Sequence, residues 1–261
     1  MESAASEENI GKGSKMKRDK ISVCMACYNG ELYIREQIAS ILDQLEAEDE
    51  LIIVDDASSD DTAVEIQKCS DSRIRYIRNE QNLGVNRSFE KAITMAKNPY
   101  LFMADQDDLW TEGRVDVMLS KLEKGYLLVS GNSDAMDAQG NQSSYDLGTL
   151  KSADSDRYGN NIVKIFMGNA YYYGCAMAFR RELKRVILPF PNFIESHDLW
   201  IAMAANLAKN NLHLEEIVLK RRIHGKNASV LQRSLRKKLY SRWIFLKSYF
   251  ILLWRQLKSG I

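Results

Sequence analysis

The stretch LFMADQDDLW, residues 101–110, places three carboxylates directly after a short apolar run. Asp105, Asp107 and Asp108 thus follow the end of a predicted buried strand, where unpaired anions are unfavourable. Asp105 and Asp107 are two residues apart and can converge on one ion if the chain turns there. Oxygen ligands suit Mg²⁺ or Mn²⁺, and Mg²⁺ in such sites is usually completed by substrate phosphates. The stretch predicts a divalent metal that holds a diphosphate, with an acidic helix N-terminus as the alternative.

Apolar runs and amphipathic segments alternate on the N-terminal side of this stretch. The predicted strands cover residues 21–27, 50–56, 74–79 and 100–105. The predicted helices cover residues 31–45 and 84–97, together with a helix that ends at Lys68 and takes Ser58 or Ser59 as its N-cap. Nearly continuous apolar strands separated by helices indicate an α/β fold, with a mostly parallel central sheet flanked by helices.

The pattern is looser on the C-terminal side. A helix is expected at 114–125, a strand at 126–132, a polar loop or lid at 131–170, an apolar segment at 171–180, a helix at 197–210 and an extended segment at 212–225. The chain is therefore expected to consist of a disordered tail at 1–19, one domain at 20–230 whose halves meet at residue 130, and a basic, aromatic helical tail at 231–261.

The net charge of +1 hides a strong asymmetry. Of the 36 Lys and Arg residues, 12 lie between Ile217 and Ile261, where no Asp or Glu occurs. This basic end predicts contact with an anionic membrane surface or another polyanion, unless it is simply a solvated basic helix. Nucleic acid is not among the partners that we expect.

The tail is too polar to be a predicted membrane span, because its longest uncharged run has seven residues and a span needs roughly 20. Packing on the domain, membrane binding and dimerisation to a homodimer all remain open for it. Its apolar stripe consists of Leu239, Trp243, Leu246, Phe250, Leu253 and Leu257, with Phe245 and Leu252 outside the stripe.

The four cysteines predict neither a zinc site nor a redox pair. Cys24 and Cys27 lie within a predicted strand, where they point to opposite faces, and no second ligand pair of similar spacing follows. We interpret them as small core residues. Reduced thiols and the lack of a signal peptide favour a cytoplasmic protein.

Distinctive polar residues follow three of the predicted strands, as CYNG, VDDAS and ADQDD. In an open parallel sheet, ligands bind beyond the carboxyl ends of the strands, so these residues are expected at one binding edge. The segments SVCMACYNGELYIREQIASIL, ELIIVDDASSDDT and YLFMADQDDLW, in this order, resemble the nucleotide-sugar core of family 2 glycosyltransferases with the GT-A fold. The resemblance covers about residues 20–230 and is nearest to bacterial O-antigen and capsule enzymes, including rhamnosyltransferase-like members.

The resemblance implies a transferase that moves one sugar from a nucleotide-diphospho-sugar, dTDP-rhamnose or a UDP-sugar, to a glycan or lipid-linked acceptor. It implies inversion, dependence on Mn²⁺ or Mg²⁺, and a place at the inner face of the plasma membrane. Residues 20–130 would bind the donor and residues 131–230 the acceptor. The resemblance also implies a nucleotide site that comprises Cys27, Tyr28, Asn29, Asp56, Asn86, Arg87 and Asp105.

For the metal, the resemblance implies Asp107 as a direct ligand, with Asp105 and His224 nearby. Arg222 or Lys226 would neutralise phosphate charge. The acceptor side would be formed by the candidate general base Asp198, its backup Glu195, and His197, Gly174 and Cys175 at the pocket. His197 stands where the family most often has Glu.

Two rival interpretations come from other classes of protein. LIIVDDAS superficially resembles the paired acids of receiver-like signalling domains, although such domains place the pair after their first strand and are about half as long. The other rival is a nucleotide-binding protein without turnover. Processive polysaccharide synthases are disfavoured, because Leu239 occupies the glutamine position of their Gln-x-x-Arg-Trp motif while Arg242 and Trp243 match it.

Overall fold

Eight strands form one sheet in the computed structural model, which describes residues 18–224 and 235–261. The strands in this part of the chain are β1 (Ile21–Cys27), β2 (Glu50–Asp55), β3 (Ile74–Arg78), β4 (Tyr100–Ala104), β5 (Leu109–Trp110), β6 (Leu128–Met136), β7 (Met177–Arg180) and β8 (Asn211–Arg222). Their order in the sheet is β3-β2-β1-β4-β7-β6-β8-β5. The four strands β1 to β4 are mutually parallel, and β6 is parallel to β8. Strand β7 runs antiparallel between β4 and β6, and β5 runs antiparallel to β8.

Helices flank the sheet. They are α1 (Ile34–Leu42), α2 (Thr62–Lys68), α3 (Val85–Met95), α4 (Arg114–Glu123), α5 (Tyr158–Met167), α6 (Lys184–Ile187), α7 (His197–Leu207) and α8 (Leu235–Ser259). The predicted α/β fold is confirmed, and each of the first four strands ends at most one residue before its predicted end. This accuracy is expected of strands buried on both faces, because their apolar runs are almost uninterrupted.

Two local predictions were wrong. Residues 131–170 are not simply a loop, because β6 continues to Met136 and α5 follows later in the segment. Helix α5 was missed because only Asn161 and Ile165 of it are buried, so its sequence shows little apolar periodicity. Helix α2 begins at Thr62 after Asp61, and the hydroxyl of Ser58 bonds the carboxylate of Asp55 instead of capping a helix.

Some sequence predictions fall on residues outside the described ranges. These are the tail at 1–19 except for Arg18 and Asp19, and the segment 225–234, which includes Lys226. At the start of the described chain, the guanidinium of Arg18 forms an ion pair with the buried carboxylate of Asp49.

The sheet has an apolar layer on each face. Cys24 packs in the layer formed with α3 and α7, whereas Cys27 packs in the layer formed with α1 and α4. Both cysteines are buried and free, in agreement with their interpretation as core residues. Burial raises the pKa of both thiols, so they stay protonated.

Helix α8 packs against α5, α6 and α7, so the C-terminal tail is part of the fold. The residues that enter the core are those that the predicted apolar stripe leaves out: Phe245 is 7% exposed and Leu252 is fully buried. The stripe itself faces outward, with Trp243 at 55% and Leu257 at 79% exposure. None of the helices in the described ranges is both long and apolar enough to cross a bilayer.

This orientation of α8 predicts unequal effects for two leucine substitutions. Leu252→Ala should lower the free energy of unfolding by about 2–5 kcal/mol, because it opens a cavity in the core. Leu257→Ala should change it by less than about 0.5 kcal/mol, because that side chain is largely exposed. Urea unfolding followed by circular dichroism measures both. Equal losses would mean that the other face of α8 packs on the domain.

Candidate active site

The carboxyl ends of β1, β2 and β4 meet at one edge of the sheet. In the register of the parallel strands, Cys27 lies opposite Asp55, and Met25 lies opposite Ala104. The three polar segments that follow these strands are therefore neighbours, as the sequence predicts. This edge is where the candidate site is built.

Gln106 joins the segment after β4 to the segment after β1. Its side-chain carbonyl accepts the Tyr28 backbone N–H at 2.8 Å, and its amide donates to the Tyr28 carbonyl at 3.1 Å. A Cβ at Gly30 would collide with this amide, so the approach requires glycine. The Tyr28 backbone is thereby fixed, while its ring stays 47% exposed and free to stack on a flat ligand. The sequence analysis did not single out Gln106.

Asn29 links the segments after β1 and β2. Its backbone lies in the left-handed region, with φ of 49°, and its N–H donates to the Ser58 hydroxyl at 3.0 Å. Its side-chain oxygen accepts the Ser59 N–H at 2.8 Å. Asp55 is fully buried and accepts the Ser58 N–H and the Tyr76 hydroxyl, so it supports this turn.

Asp56 organises the segment that follows β3. Its two carboxylate oxygens accept the side-chain amide of Asn79 at 2.8 Å and the backbone N–H groups of Leu83 at 2.9 Å and Gly84 at 2.7 Å. Asp56 is 3% exposed. The carboxylate is therefore held at the site edge in a fixed direction by these three donors.

Asn86 and Arg87 point toward the acceptor half of the chain. The Asn86 amide donates to the Ile194 carbonyl at 3.0 Å, and its oxygen accepts the His197 backbone N–H at 3.1 Å. Arg87 donates to the Phe190 carbonyl at 2.9 Å and also contacts Asn192. Both side chains fasten α3 to the segment before α7, so the structure gives them partners other than a nucleotide.

The acids after β4 form two groups. The carboxylates of Asp105 and Asp108 and the thiol of Cys175 have donor atoms within 4.8 Å of one another. Burial, and then the charge of Asp107, raise the pKa of Asp105 to about 6 and that of Asp108 to about 8. The Asp108 carboxylate accepts the Arg222 backbone N–H at 3.1 Å, so it joins the segment after β4 to β8. Burial and then Asp108 raise the pKa of the Cys175 thiol, so it stays protonated and is no nucleophile.

Asp107 forms the second group with His224. Its carboxylate lies 2.8 Å from His224 Nε2, and the His224 ring stacks on Tyr33 with centroids 5.4 Å apart. Carboxylate oxygens suit Mg²⁺ or Mn²⁺, so Asp105 and Asp107, together with the His224 imidazole, have the donor chemistry to hold a divalent ion. The structure does not gather these three at one point, because Asp105 is grouped with Asp108 and Cys175. A protonated Cys175 does not fit such a site. The donor chemistry present therefore fits the predicted metal.

Two arginines compensate the buried acids, and the sequence analysis named neither. Arg221 opposes the rise in pKa of both Asp105 and Asp108, and its guanidinium lies 4.3 Å from the Tyr173 ring centroid. Arg114 is fully buried and donates to the carbonyls of Met103 at 3.1 Å and Cys175 at 2.6 Å. Neighbouring residues in a strand point to opposite faces. The consecutive arginines Arg221 and Arg222 could therefore have indicated that one of them faces the acids.

The guanidinium of Arg222 forms hydrogen bonds mainly to other groups of the protein. It donates to Glu36 at 2.7 Å, to the Asp107 carbonyl at 3.0 Å and to the Ala138 carbonyl at 3.1 Å, and it is 2% exposed. We expected Arg222 to neutralise phosphate charge. Its contacts instead position the Asp107 segment. Arg221 is the cation that lies beside the acids.

The C-terminal half of the chain contributes the first turn of α7. Asp198 raises the pKa of Asp105 further, which places its charge at the same site, and its carboxylate accepts the Leu199 N–H at 2.8 Å. His197 is 8% exposed and packs on Phe89, with centroids 4.1 Å apart. A Cβ at Gly174 would lie 2.7 Å from His197 Nε2, so glycine lets this segment approach α7.

Glu195 lies just before α7 but is turned to α8. Its two carboxylate oxygens lie 2.9 and 2.7 Å from the Ser241 hydroxyl, which donates to them. The structure thus assigns Glu195 a bond between the site and the tail, and Asp198 is the acid that shares the site with Asp105.

Comparison with known proteins places the chain in a family. The model of Glycosyl transferase family 2 matches residues 22–187. An uncharacterized glycosyltransferase of Methanocaldococcus jannaschii is 30% identical over 243 residues, which cover 87% of this chain and 78% of that protein. The chain belongs to glycosyl transferase family 2. This membership favours the glycosyltransferase interpretation over the receiver-like one.

Other relatives match a shorter part of the chain. The Escherichia coli UDP-Glc:alpha-D-GlcNAc-diphosphoundecaprenol beta-1,3-glucosyltransferase WfgD is 31% identical over 43% of this chain and 48% of its own length. The putative teichuronic acid biosynthesis glycosyltransferase TuaG of Bacillus subtilis is 35% identical over 38% of this chain and 40% of its own length. The matches thus span less than half of these two relatives.

Solved structures confirm the GT-A fold. S. aureus TarS in complex with UDP-GlcNAc has a TM-score of 0.68 at 18% identity, over 88% of this chain and 66% of that one. The mannosyltransferase PcManGT from Pyrobaculum calidifontis, in complex with GDP-Man and Mn²⁺, has a TM-score of 0.61 at 15% identity, over 94% of this chain and 74% of that one. The O-antigen, capsule and rhamnosyltransferase-like assignments within the family stay predictions.

The tight approach of Gly30 to Gln106 makes a testable prediction. Gly30→Ala should displace the Gln106 amide and lower the free energy of unfolding by about 1–3 kcal/mol, because the added methyl group has no room. It should also weaken the stabilisation by UDP, since Tyr28 loses two backbone hydrogen bonds. Gly159→Ala is the control, because a Cβ there meets no atom within 4 Å. Thermal unfolding with and without UDP measures the change in stability and the change in stabilisation by UDP. Equal losses in the two variants would contradict the role given to the Gln106–Tyr28 hydrogen bonds.

Proposed function

We propose that this protein is a metal-dependent, inverting glycosyltransferase that adds one sugar to a lipid-linked glycan during surface polysaccharide synthesis. The observation that carries the proposal is the meeting of acids from both halves at one sheet edge. Asp105 and Asp107 come from the end of β4 and Asp198 comes from α7, and the charges of Asp107 and Asp198 both raise the pKa of Asp105. Such an arrangement suits a diphosphate donor on one side and an acceptor hydroxyl on the other.

The donor is proposed to be a UDP-sugar, with dTDP-rhamnose as the alternative. Cys27, Tyr28 and Asn29 would line the nucleotide, with the exposed ring of Tyr28 stacked on the base. Asp56 would accept a hydrogen bond from the base, since its carboxylate is already fixed at this edge. The names of relatives support a uridine nucleotide, because WfgD and a Campylobacter jejuni relative are both glucosyltransferases that act on undecaprenol-linked sugars, and WfgD uses UDP-Glc.

A divalent ion, Mn²⁺ or Mg²⁺, would be held by Asp107, Asp105 and His224. When bound, it would neutralise charge on the diphosphate leaving group. Arg221 would remain beside Asp105 and limit repulsion between the acids and the phosphates. Arg222 would keep the Asp107 segment in place through its hydrogen bond to the Asp107 carbonyl.

Asp198 is proposed as the general base. It would take the proton from the acceptor hydroxyl while that oxygen attacks the anomeric carbon, and the bond from this carbon to the diphosphate would break in the same displacement. The nucleoside diphosphate leaves with the bonding electrons, and the configuration inverts. The hydrogen bond from Leu199 N–H fixes the direction of the carboxylate.

His197 would contribute to sugar recognition. Its Nδ1 lies 3.3 Å from the Asn86 side-chain oxygen, so Nδ1 carries the proton and Nε2 presents a lone pair. Nε2 has no hydrogen-bond partner among the described residues and lies against Gly174. Burial lowers the pKa of His197, so the ring is neutral. Nε2 is itself buried, so a sugar hydroxyl would bond to it only after the Gly174 segment has moved aside.

The substitution Asp107→Asn tests the proposed metal site. This change should remove most of the additional thermal stabilisation that Mn²⁺ confers in the presence of UDP, because a charged metal ligand is lost. The fold should persist, since Asp107 is a partly exposed side chain. Differential scanning fluorimetry with UDP, with and without Mn²⁺, makes the measurement. Asp116→Asn, at an exposed acid of α4, is the control and should leave the Mn²⁺ effect unchanged.

The base predicts a different result for Asp198→Asn. It should lower kcat by about 10²–10⁴-fold, as expected when a general base is removed. Stabilisation by UDP and Mn²⁺ should persist, because Asp198 is not among the residues proposed to bind the nucleotide or the metal. Release of UDP from UDP-sugars in the presence of an undecaprenol-linked acceptor gives the rate.

Two outcomes would support the rival interpretations. Wild-type protein that binds UDP but releases none with any donor would be a nucleotide-binding protein without turnover. Protein that is stabilised by a phosphate analogue with Mg²⁺, and not by UDP or dTDP, would be a receiver-like module.

A further inference from the structure

The outward face of α8 is an apolar surface that the described part of the domain does not cover. The helix has 25 residues and is therefore about 37 Å long. Large apolar side chains recur on this face at three- and four-residue intervals and are 48–79% exposed: Leu239, Tyr240, Trp243, Leu246, Phe250, Trp254 and Leu257. We call this set the outer face of α8. An exposed apolar stripe of this length indicates a partner surface.

Basic side chains accompany the aromatic ones. Lys258 lies 3.8 Å from the Trp254 ring centroid, and Lys247 lies 5.4 Å from that of Trp243. Arg236 is also exposed near the start of the helix. The sequence has no Asp or Glu after Glu216, so the helix carries no acid that could neutralise them.

The helix is firmly attached, so the outer face has a fixed direction. Arg255 donates to the carbonyls of Val186 at 3.0 Å and Pro189 at 2.8 Å, and the Gln256 amide donates to the Ala204 carbonyl at 2.6 Å. Leu252 is fully buried on the same side. One face of α8 thus belongs to the core while the opposite face stays available.

The helix also adjoins the acceptor side of the site. Ser241 donates to Glu195, which lies three residues before the proposed base Asp198. Tyr240 and Trp243 of the outer face lie within one turn of Ser241 along the helix. The first turns of the outer face therefore lie close to the segment that leads into α7.

We infer that the outer face of α8 binds the surface of an anionic lipid bilayer, with the helix lying in the plane of the interface. Trp and Tyr prefer this interface, apolar side chains enter it, and Lys and Arg are attracted by anionic headgroups. A second copy of the chain fits less well, because it would bring another acid-free basic helix against this one. The inference rests in part on the proposed function, since a lipid-linked acceptor has to be met at a membrane.

Sedimentation with vesicles tests the inference. The full chain should sediment with phosphatidylcholine vesicles that contain phosphatidylglycerol, and binding should fall as salt is raised. Trp243→Ser combined with Phe250→Ser and Trp254→Ser should weaken binding by at least about tenfold, because three interfacial side chains are lost. Lys247→Gln with Lys258→Gln should weaken it by about 25-fold, at about fivefold for each charge.

The control is Val64→Ser with Val163→Ser, which removes exposed apolar side chains from α2 and α5 and should leave binding unchanged. Far-ultraviolet circular dichroism checks that each variant is folded. Equal binding by the wild type, both outer-face variants and the control would overturn the inference. So would a dimer in sedimentation velocity that the triple serine variant abolishes while vesicle binding persists.

A second readout separates this inference from the proposed function. UDP release with a short-chain, water-soluble acceptor should be the same in the wild type and in the triple serine variant, because the substituted residues lie outside the site. If this activity is present and no chain binds vesicles, the surface assignment fails and the function stands. If vesicles are bound and no donor is turned over, the function fails and the surface assignment stands.

Discussion

The concentration of carboxylates at the end of β4 is the constraint on which the rest of the molecule depends. Burial and mutual repulsion raise the pKa of Asp105 and Asp108, so the segment is stable only with positive charge close by. Arg221 from β8 supplies that charge, and Arg222 ties the same strand to the Asp107 carbonyl. The acids thereby unite the two halves of the chain, and they leave the site prepared for a further cation.

The nucleotide edge is preorganised by hydrogen bonds between loops. Gln106 holds the Tyr28 backbone, Asn29 holds the segment after β2, and Asp56 holds the segment after β3. Each of these segments would otherwise be a mobile connection between a strand and a helix. Their mutual bonds mean that little conformational entropy is lost when a ligand binds, which favours affinity. Several residues expected to touch the nucleotide therefore act at least as much on one another.

Helix α8 contacts the core on one face, reaches the candidate site through Ser241 and exposes its other face. Its inner face belongs to the core through Leu252, its Ser241 reaches Glu195 beside the proposed base, and its outer face presents aromatic and basic side chains. An enzyme whose acceptor is embedded in a bilayer gains from such an arrangement, because binding to the surface restricts the search for acceptor to two dimensions. The helix thus contributes to the stability of the core and to the position of the segment before α7.

The sequence by itself determined the α/β fold, the first four strands, the shared edge and the acids that lie there, because these follow from uninterrupted apolar runs and from the residues directly after them. Only the tertiary structure decided which side chain compensates the acids most directly, since Arg221 comes from the distant strand β8. It also decided that Arg222, Asn86 and Arg87 are occupied by protein contacts. For α8 the sequence showed an apolar stripe, but periodicity cannot say which face the domain covers, because that depends on the shape and polarity of the surface it meets.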